Sequence, residues 1–230
     1  MTWLVLWDID HTLISMCGSG RDLFGAAFEQ VTGVRMRQQA AVDGMTDRVI
    51  FRETAALHGL TTTRKDFESF AVALGAQHLN RAVEIRERGH ALPGAASALR
   101  ALAGVPGMRQ TVVTGNIRVS AEVKLRVFGL DGPIVWDIGA YGEDSDTRPP
   151  LVQAALRRAR HSESEGRVVL IGDTPADVAG ALANNVRVIG VASGRSSEAD
   201  LRAAGAITTL PDLTDNELVM KLVIADDSFT

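Results

Sequence analysis

Short β-rich runs, several of them almost continuously apolar, alternate along this chain with longer stretches of helical spacing, and that alternation restricts the fold more than any other feature. The runs cover residues 3–7, 110–113, 134–138, 168–171 and 186–191, with a weaker one at 206–210. Strands apolar at nearly every position belong to parallel sheets covered on both faces. Helical spacing fills 95–103, 119–127, 151–159, 176–183 and 198–204. The pattern predicts an α/β fold, a Rossmann-like doubly wound parallel sheet with right-handed crossovers.

One interval breaks the rhythm. From Ser15 to Leu92 no strand is evident, and 21–31, 47–58 and 65–88 carry spaced apolar residues. Gly33, the Asp43-Gly44 pair and 59–63 punctuate them, and Pro93-Gly94 marks the return to the core. The expected organisation is an α/β core, 1–14 and 93–230, with a helical domain at 15–92 inserted between its first two strands.

Open α/β sheets bind ligands beyond the carboxyl ends of their strands. Asp8-Ile9-Asp10-His11-Thr12 follows the first run, Thr114-Gly115-Asn116 the second, and Gly172-Asp173-Thr174-Pro175-Ala176-Asp177 the fourth. Each offers carboxylates, hydroxyls or glycine where a site should lie.

Taken together, these segments resemble motifs one, two and four of the haloacid dehalogenase superfamily. The likeness spans the chain, because the helical interval is similar to that superfamily's cap in its most common (C1) position, as in phosphoglycolate phosphatase and its relatives. The resemblance implies a phosphatase in which Asp8 is the nucleophile and forms an aspartyl-phosphate. Asp10 would be the acid for the leaving oxygen and then the base for water. Thr114, Gly115 and Asn116 would hold the phosphoryl oxygens. Such chemistry suits an anionic ester: a carboxylate nucleophile divides one hard displacement into two, and divalent metal offsets the charge. Mg²⁺ needs only one or two carboxylates beside the substrate. The implied ligands are Asp8, Asp173 and the carbonyl of Asp10. Asp177 is open between a metal role and capping the helix that Thr174-Pro175 begins.

The third motif departs from the family, which usually supplies a lysine before a helix. Here the segment reads Asp146-Thr147-Arg148-Pro149-Pro150. Arg148 is the substitute in phosphate binding and catalysis, a fork-shaped cation in place of a point charge. Lys124 is the rival, within a helix where lysine is ordinarily solvated.

Several residues read more simply. His11 fills a position that is often glycine. Cys17 is expected to be a small buried or half-buried side chain, and the basic run 157–160 a solvated helix end. His58, His78, His90 and His161 lack metal-ligand spacing and are left out of the site. The turn 43–48 either faces substrate or caps a helix through Thr46 or Asp47, and Arg21 and Arg48 are candidates for an anionic substrate group.

The net charge of -4 gives no reason to expect nucleic acid, and one cysteine excludes an internal disulfide and suits a reducing cytoplasm. The run 3–7 is too short to span a membrane. The expected partner is a small phosphorylated metabolite, with the chain a monomer or homodimer. A sugar-phosphate mutase would use the same aspartates, and a non-catalytic phosphate-binding module is the alternative outside enzymes. A dehalogenase would not need Asp10.

Overall fold

The computed structural model describes residues 2–160 and 166–225. His161 and the acidic run from Asp226 lie outside them. The elements follow in the order β1 (Thr2–Trp7), β2 (Ile14–Ser15), α1 (Ser19–Thr32), α2 (Asp47–Leu57), α3 (Arg64–Asn80), α4 (Ala82–Arg88) and β3 (His90–Ala91). Then come α5 (Ala95–Ala103), β4 (Met108–Val112), α6 (Arg118–Val127), α7 (Arg148–Arg158), β5 (Gly166–Gly172), α8 (Pro175–Leu182), β6 (Arg187–Val191), α9 (Glu198–Ala203), β7 (Thr208–Leu210) and α10 (Asn216–Ile224).

Five strands form one parallel sheet in the order β4-β1-β5-β6-β7. Strand β1 lies inside it, and its side chains explain why. Val5 and Trp7 point into one buried cluster, with Ile171 of β5 and Leu99, Leu102 and Leu125 of α5 and α6. Leu4 and Leu6 point into the other, with Leu151 and Val152 of α7 and Val178 of α8. A strand buried on both faces has no polar alternation to show, which is how residues 3–7 read in the sequence.

Helices α1 to α4 stand between β1 and the next strand of the sheet. Phe24, Phe28, Phe51, Phe67 and Phe70 fill their interior, with the rings of Phe51 and Phe70 stacked at 4.4 Å. This cluster continues without a break into that of the sheet through α6. Gly75 allows the approach, since a Cβ there would lie 3.1 Å from Val119 Cγ1. Thr63 and Asp66 form a capping box at the start of α3.

Three sequence expectations need correction. The run 134–138 is not a strand: Ile134 makes one isolated bridge to Gln110, and Trp136–Ile138 is a short 3-10 helix. Side chains replace strand partners there. Thr111 Oγ1 donates to the Val135 carbonyl at 2.8 Å, and the Tyr141 hydroxyl donates to that of Trp136. The interval 15–92 is not free of strand, because β2 and β3 pair antiparallel where it leaves and rejoins the core. Two-residue strands are too short to carry a period. Finally, the stretch 65–88 is two helices, broken at Arg81. Among the described residues no helix is long and apolar enough to cross a membrane.

Candidate active site

Asp8 extends β1 by one residue, its N–H donating to the Ile171 carbonyl at 2.9 Å. Asp173 follows β5, and Asp177 lies in the first turn of α8. One oxygen from each of these three buried carboxylates lies within 4.8 Å of the others. Thr12 Oγ1 donates to Asp173 at 3.2 Å.

Arg148 enters this group from the first residue of α7, where Pro149 follows it and starts the helix. Its guanidinium reaches three partners: Asp8 Oδ1 at 3.2 Å, Asp177 Oδ1 at 3.0 Å and the Val113 carbonyl at 3.0 Å. The side chain is buried. Gly180 makes room for it, since a Cβ there would stand 2.5 Å from Arg148 Cγ. Of the two cations weighed from sequence, Arg148 is the one beside Asp8.

One guanidinium does not balance three buried carboxylates. Burial first, then repulsion from Asp177, pushes the Asp8 carboxyl well above its ordinary range, with Arg148 offsetting part. The same two causes push Asp173 up to about 7. An all-oxygen, anionic and under-neutralised group of this kind fits a hard divalent cation. Asp177 also caps α8 as the sequence allowed: its Oδ2 accepts from Thr174 N and Oγ1 at 3.1 and 2.6 Å. Its Oδ1 is buried without a hydrogen-bond partner, beside the Arg148 guanidinium.

A second polar group surrounds Asp10. Lys124 Nζ donates to both Asp10 oxygens, at 2.9 and 2.7 Å, and to Asn116 Oδ1 at 2.6 Å. Asn116 Nδ2 donates to Asp10 and to Thr114 Oγ1, both at 2.7 Å. Burial opposes the Asp10 charge, but Lys124 and Asn116 outweigh it and lower the pKa. Lys124 is therefore not a solvated helix lysine; it is 6% exposed. Asn116 turns toward Asp10, and its backbone N–H is taken by Thr114 Oγ1 at 3.2 Å. Gly115 is pressed against the segment before α2, where any Cβ would overlap the Met45 carbonyl.

A cleft of about 540 Å³ lies between these groups and helices α1 to α3. Asp8, Asp10, Thr114, Lys124, Arg148 and Asp173 line one side, and Phe24, Ile50, Leu74 and His78 come from the helices. The turn 43–48 docks the helices onto the core. Thr46 caps α2, while Asp47 N donates to the Gly115 carbonyl at 2.7 Å and Asp47 Oδ2 accepts from Ile117 N at 2.8 Å. Arg195 pairs with Asp43 at 3.0 Å, and Asp146 with Arg48 and Arg52 at 3.3 and 2.7 Å. Arg48 is thereby committed to Asp146. Arg21 lines the cleft with no ion pair among the described residues.

Other single residues differ from expectation. His78 belongs to the cleft wall; its four-residue spacing from Leu74 and eight from Phe70 marks the buried face of α3, a signal that the search for metal spacing passed over. Cys17 is exposed, in a left-handed turn with φ 45°, and faces His90 Nδ1 at 3.6 Å. His11 takes φ 64°, the left-handed conformation that explains why glycine suits its position. Within the basic run, Arg158 is bound to Asp144 at 2.7 Å, so that helix end is anchored.

A family model for haloacid dehalogenase-like hydrolase matches residues 5–181. No curated protein matches by sequence. Among solved structures, a hydrolase from Pseudomonas syringae is 19% identical with a TM-score of 0.69, covering 98% of this chain and 100% of its own. A predicted phosphoglycolate phosphatase from Haemophilus somnus is 15% identical with a TM-score of 0.64, covering 94% and 97%. A candidate beta-phosphoglucomutase from Bacteroides vulgatus is 16% identical with a TM-score of 0.62, covering 97% and 91%. At these identities the likeness shows the fold.

Proposed function

The chain belongs to the haloacid dehalogenase-like hydrolases, and from that premise we propose that it is a Mg²⁺-dependent phosphatase of a small phosphorylated metabolite. The observation that carries the reading is the buried group of Asp8, Asp173 and Asp177 around Arg148, at the end of the strand that bears Asp8.

In this reading an Asp8 oxygen attacks phosphorus in line, the ester oxygen departs, and the phosphoryl group is carried on the Asp8 carboxylate. Asp10 delivers the proton that the departing alkoxide takes. Water then attacks the aspartyl-phosphate, Asp10 removes its proton, and phosphate and free Asp8 return. The base role uses the charged form of Asp10 that Lys124 and Asn116 stabilise. Arg148 orients Asp8 and offsets part of the burial and repulsion that disfavour its charge, and Thr114 offers its hydroxyl to a phosphoryl oxygen. Asp8, Asp173 and the Asp10 carbonyl would hold Mg²⁺, with Asp177 beside them; the ion, when bound, supplies positive charge against the phosphoryl oxygens. Helices α1 to α3 would act as a cap, residues 15–92, that shapes the space for the alcohol portion.

The test is phosphate release from a panel of phosphorylated metabolites with Mg²⁺ and with chelator, beside Asp8→Asn. Metal-dependent release that disappears in the variant is expected. Equal release by Asp8→Asn would remove the covalent mechanism, and conversion of a sugar phosphate without net release would make the protein a mutase.

A further inference from the structure

His78 stands on α3, in the helical wall of the cleft, and is 3% exposed. Its Nδ1 lies 2.9 Å from the Leu74 carbonyl one turn earlier and 3.1 Å from Ser120 Oγ. A carbonyl oxygen only accepts, so the ring proton belongs on Nδ1 and the neutral ring presents Nε2 as a bare acceptor. That Nε2 is buried with no hydrogen-bond partner among the described residues. Lys124, a cation close enough to act on the ring, already donates to Asp10 and Asn116. Burial first, and then the Lys124 charge, lower the His78 pKa to about 4. The ring is therefore neutral at ordinary pH.

An unpaired buried acceptor is costly, because it has given up water without gaining a partner. Of the side chains on the helical side of the cleft, Phe24, Ile50 and Leu74 have no polar group, and Arg21, Gln39 and Asp47 make no hydrogen bond to Nε2. A donor arriving with a ligand would make one. We propose that His78 Nε2 accepts a hydrogen bond from a hydroxyl on the alcohol portion of the substrate, so that the cleft selects phosphate monoesters of hydroxylated alcohols over plain alkyl phosphates. This rests on the phosphatase reading for where the phosphate lies, and it adds the chemistry of the other half of the substrate. Sites built to bind a hydroxyl discriminate against analogues that lack it, because the acceptor is then left unpaired.

The test uses binding to the full chain carrying Asp8→Asn, so that it does not depend on turnover. Calorimetric titration with glycerol 3-phosphate and with propyl phosphate, both in Mg²⁺, compares a hydroxylated ester with its plain analogue. The expected result is at least about tenfold tighter binding of glycerol 3-phosphate. Adding His78→Leu should bring the two within about twofold, and His78→Gln, which keeps an amide acceptor, should recover part of the ratio. Equal binding of the two esters, no binding of either, or an unchanged ratio in His78→Leu overturns the proposal. A nitrogen NMR signal of Nε2 that moves with glycerol 3-phosphate but not with propyl phosphate supports it without any change at His78; an unmoved signal overturns it. Phosphate release by the unaltered chain is read separately. Its absence, with hydroxyl selectivity intact, would overturn the phosphatase reading and leave the His78 site standing.

Discussion

Lys124 grips both carboxylate oxygens of Asp10, at 2.9 and 2.7 Å, from a helix more than a hundred residues further along the chain. Arg148 meanwhile serves Asp8 and Asp177. The two buried cations divide the site: one sits with the proposed nucleophile and metal ligands, the other with the proposed proton carrier.

This division predicts different consequences for the two cations. Lys124→Met should lower kcat for alkyl phosphates on the order of 10²-fold, within the usual contribution of general acid–base catalysis. The loss should fall on hydrolysis of the aspartyl-phosphate, whose base is the charged Asp10 that Lys124 stabilises. With p-nitrophenyl phosphate, whose nitrophenolate leaves without a proton, the pre-steady-state burst should persist while the steady-state rate falls. A burst that slows as much as the steady state would place Lys124 outside the proton transfer.

Arg148 faces a different test, of stability. Removing one partner of a buried ion pair costs about 3–5 kcal/mol, because the remaining charge has lost its compensation. Arg148→Met should lower the unfolding free energy by about that much, measured from denaturant midpoints with chelator present. Arg148→Lys should recover only part, since a point ammonium cannot span Asp8, Asp177 and the Val113 carbonyl together. Wild-type stability in Arg148→Met would mean that the pair contributes nothing net.

Magnesium itself should stabilise the fold. A ligand that binds only the native state at a hundred times its Kd adds about 2.7 kcal/mol, which for a chain of this size raises Tm by roughly 5–10 °C. Asp173→Asn should abolish most of that shift. A melt that is indifferent to Mg²⁺ and chelator would argue against the carboxylate group as a metal site.

Two buried groups beside Asp10 titrate against each other. Asp47 is raised by burial to about 6, so between its unfolded value near 3.8 and 6 the folded chain binds the extra proton. Its contribution to stability falls as pH rises through that window. His78, lowered to about 4, does the reverse: between 4 and 6.5 the unfolded chain binds the proton, and stability rises with pH. Each effect is at most on the order of 3 kcal/mol. Stability measured against pH should therefore rise more steeply between 4 and 6 in Asp47→Asn than in the parent chain, and less steeply in His78→Gln. Parallel curves for all three would refute the assignment.

Much of the site was legible because strand ends and helix starts have local signatures. Asp8 and Asp173 follow apolar runs, and Arg148 precedes two prolines. What escaped depends on partners far away in sequence. Ser120, Ala121, Lys124 and Leu125 are all buried on one side of α6, so helical spacing did mark the inward face; nothing local announced that Asp10 would meet the lysine there. His78 is only partly such a case: Leu74 lies one turn away on its own helix, and only Ser120 is distant. The run 134–138 misled because its apolar residues meet the sheet edge at a single bridge, with carbonyls held by Thr111 and Tyr141.

Strand β1 has a hydrogen-bonded neighbour on each side and apolar cover above and below. Its amides should be among the last to exchange with solvent, opening only when the whole molecule does. Asp8 is anchored to that slowest part of the chain, whereas the helices facing it meet the core through the continuous buried cluster beside α6, the Asp47 contacts and exposed ion pairs such as Asp43–Arg195. Breathing that admits and releases a ligand then has to part that buried contact from the helical side, while Asp8 stays with the strand that holds it.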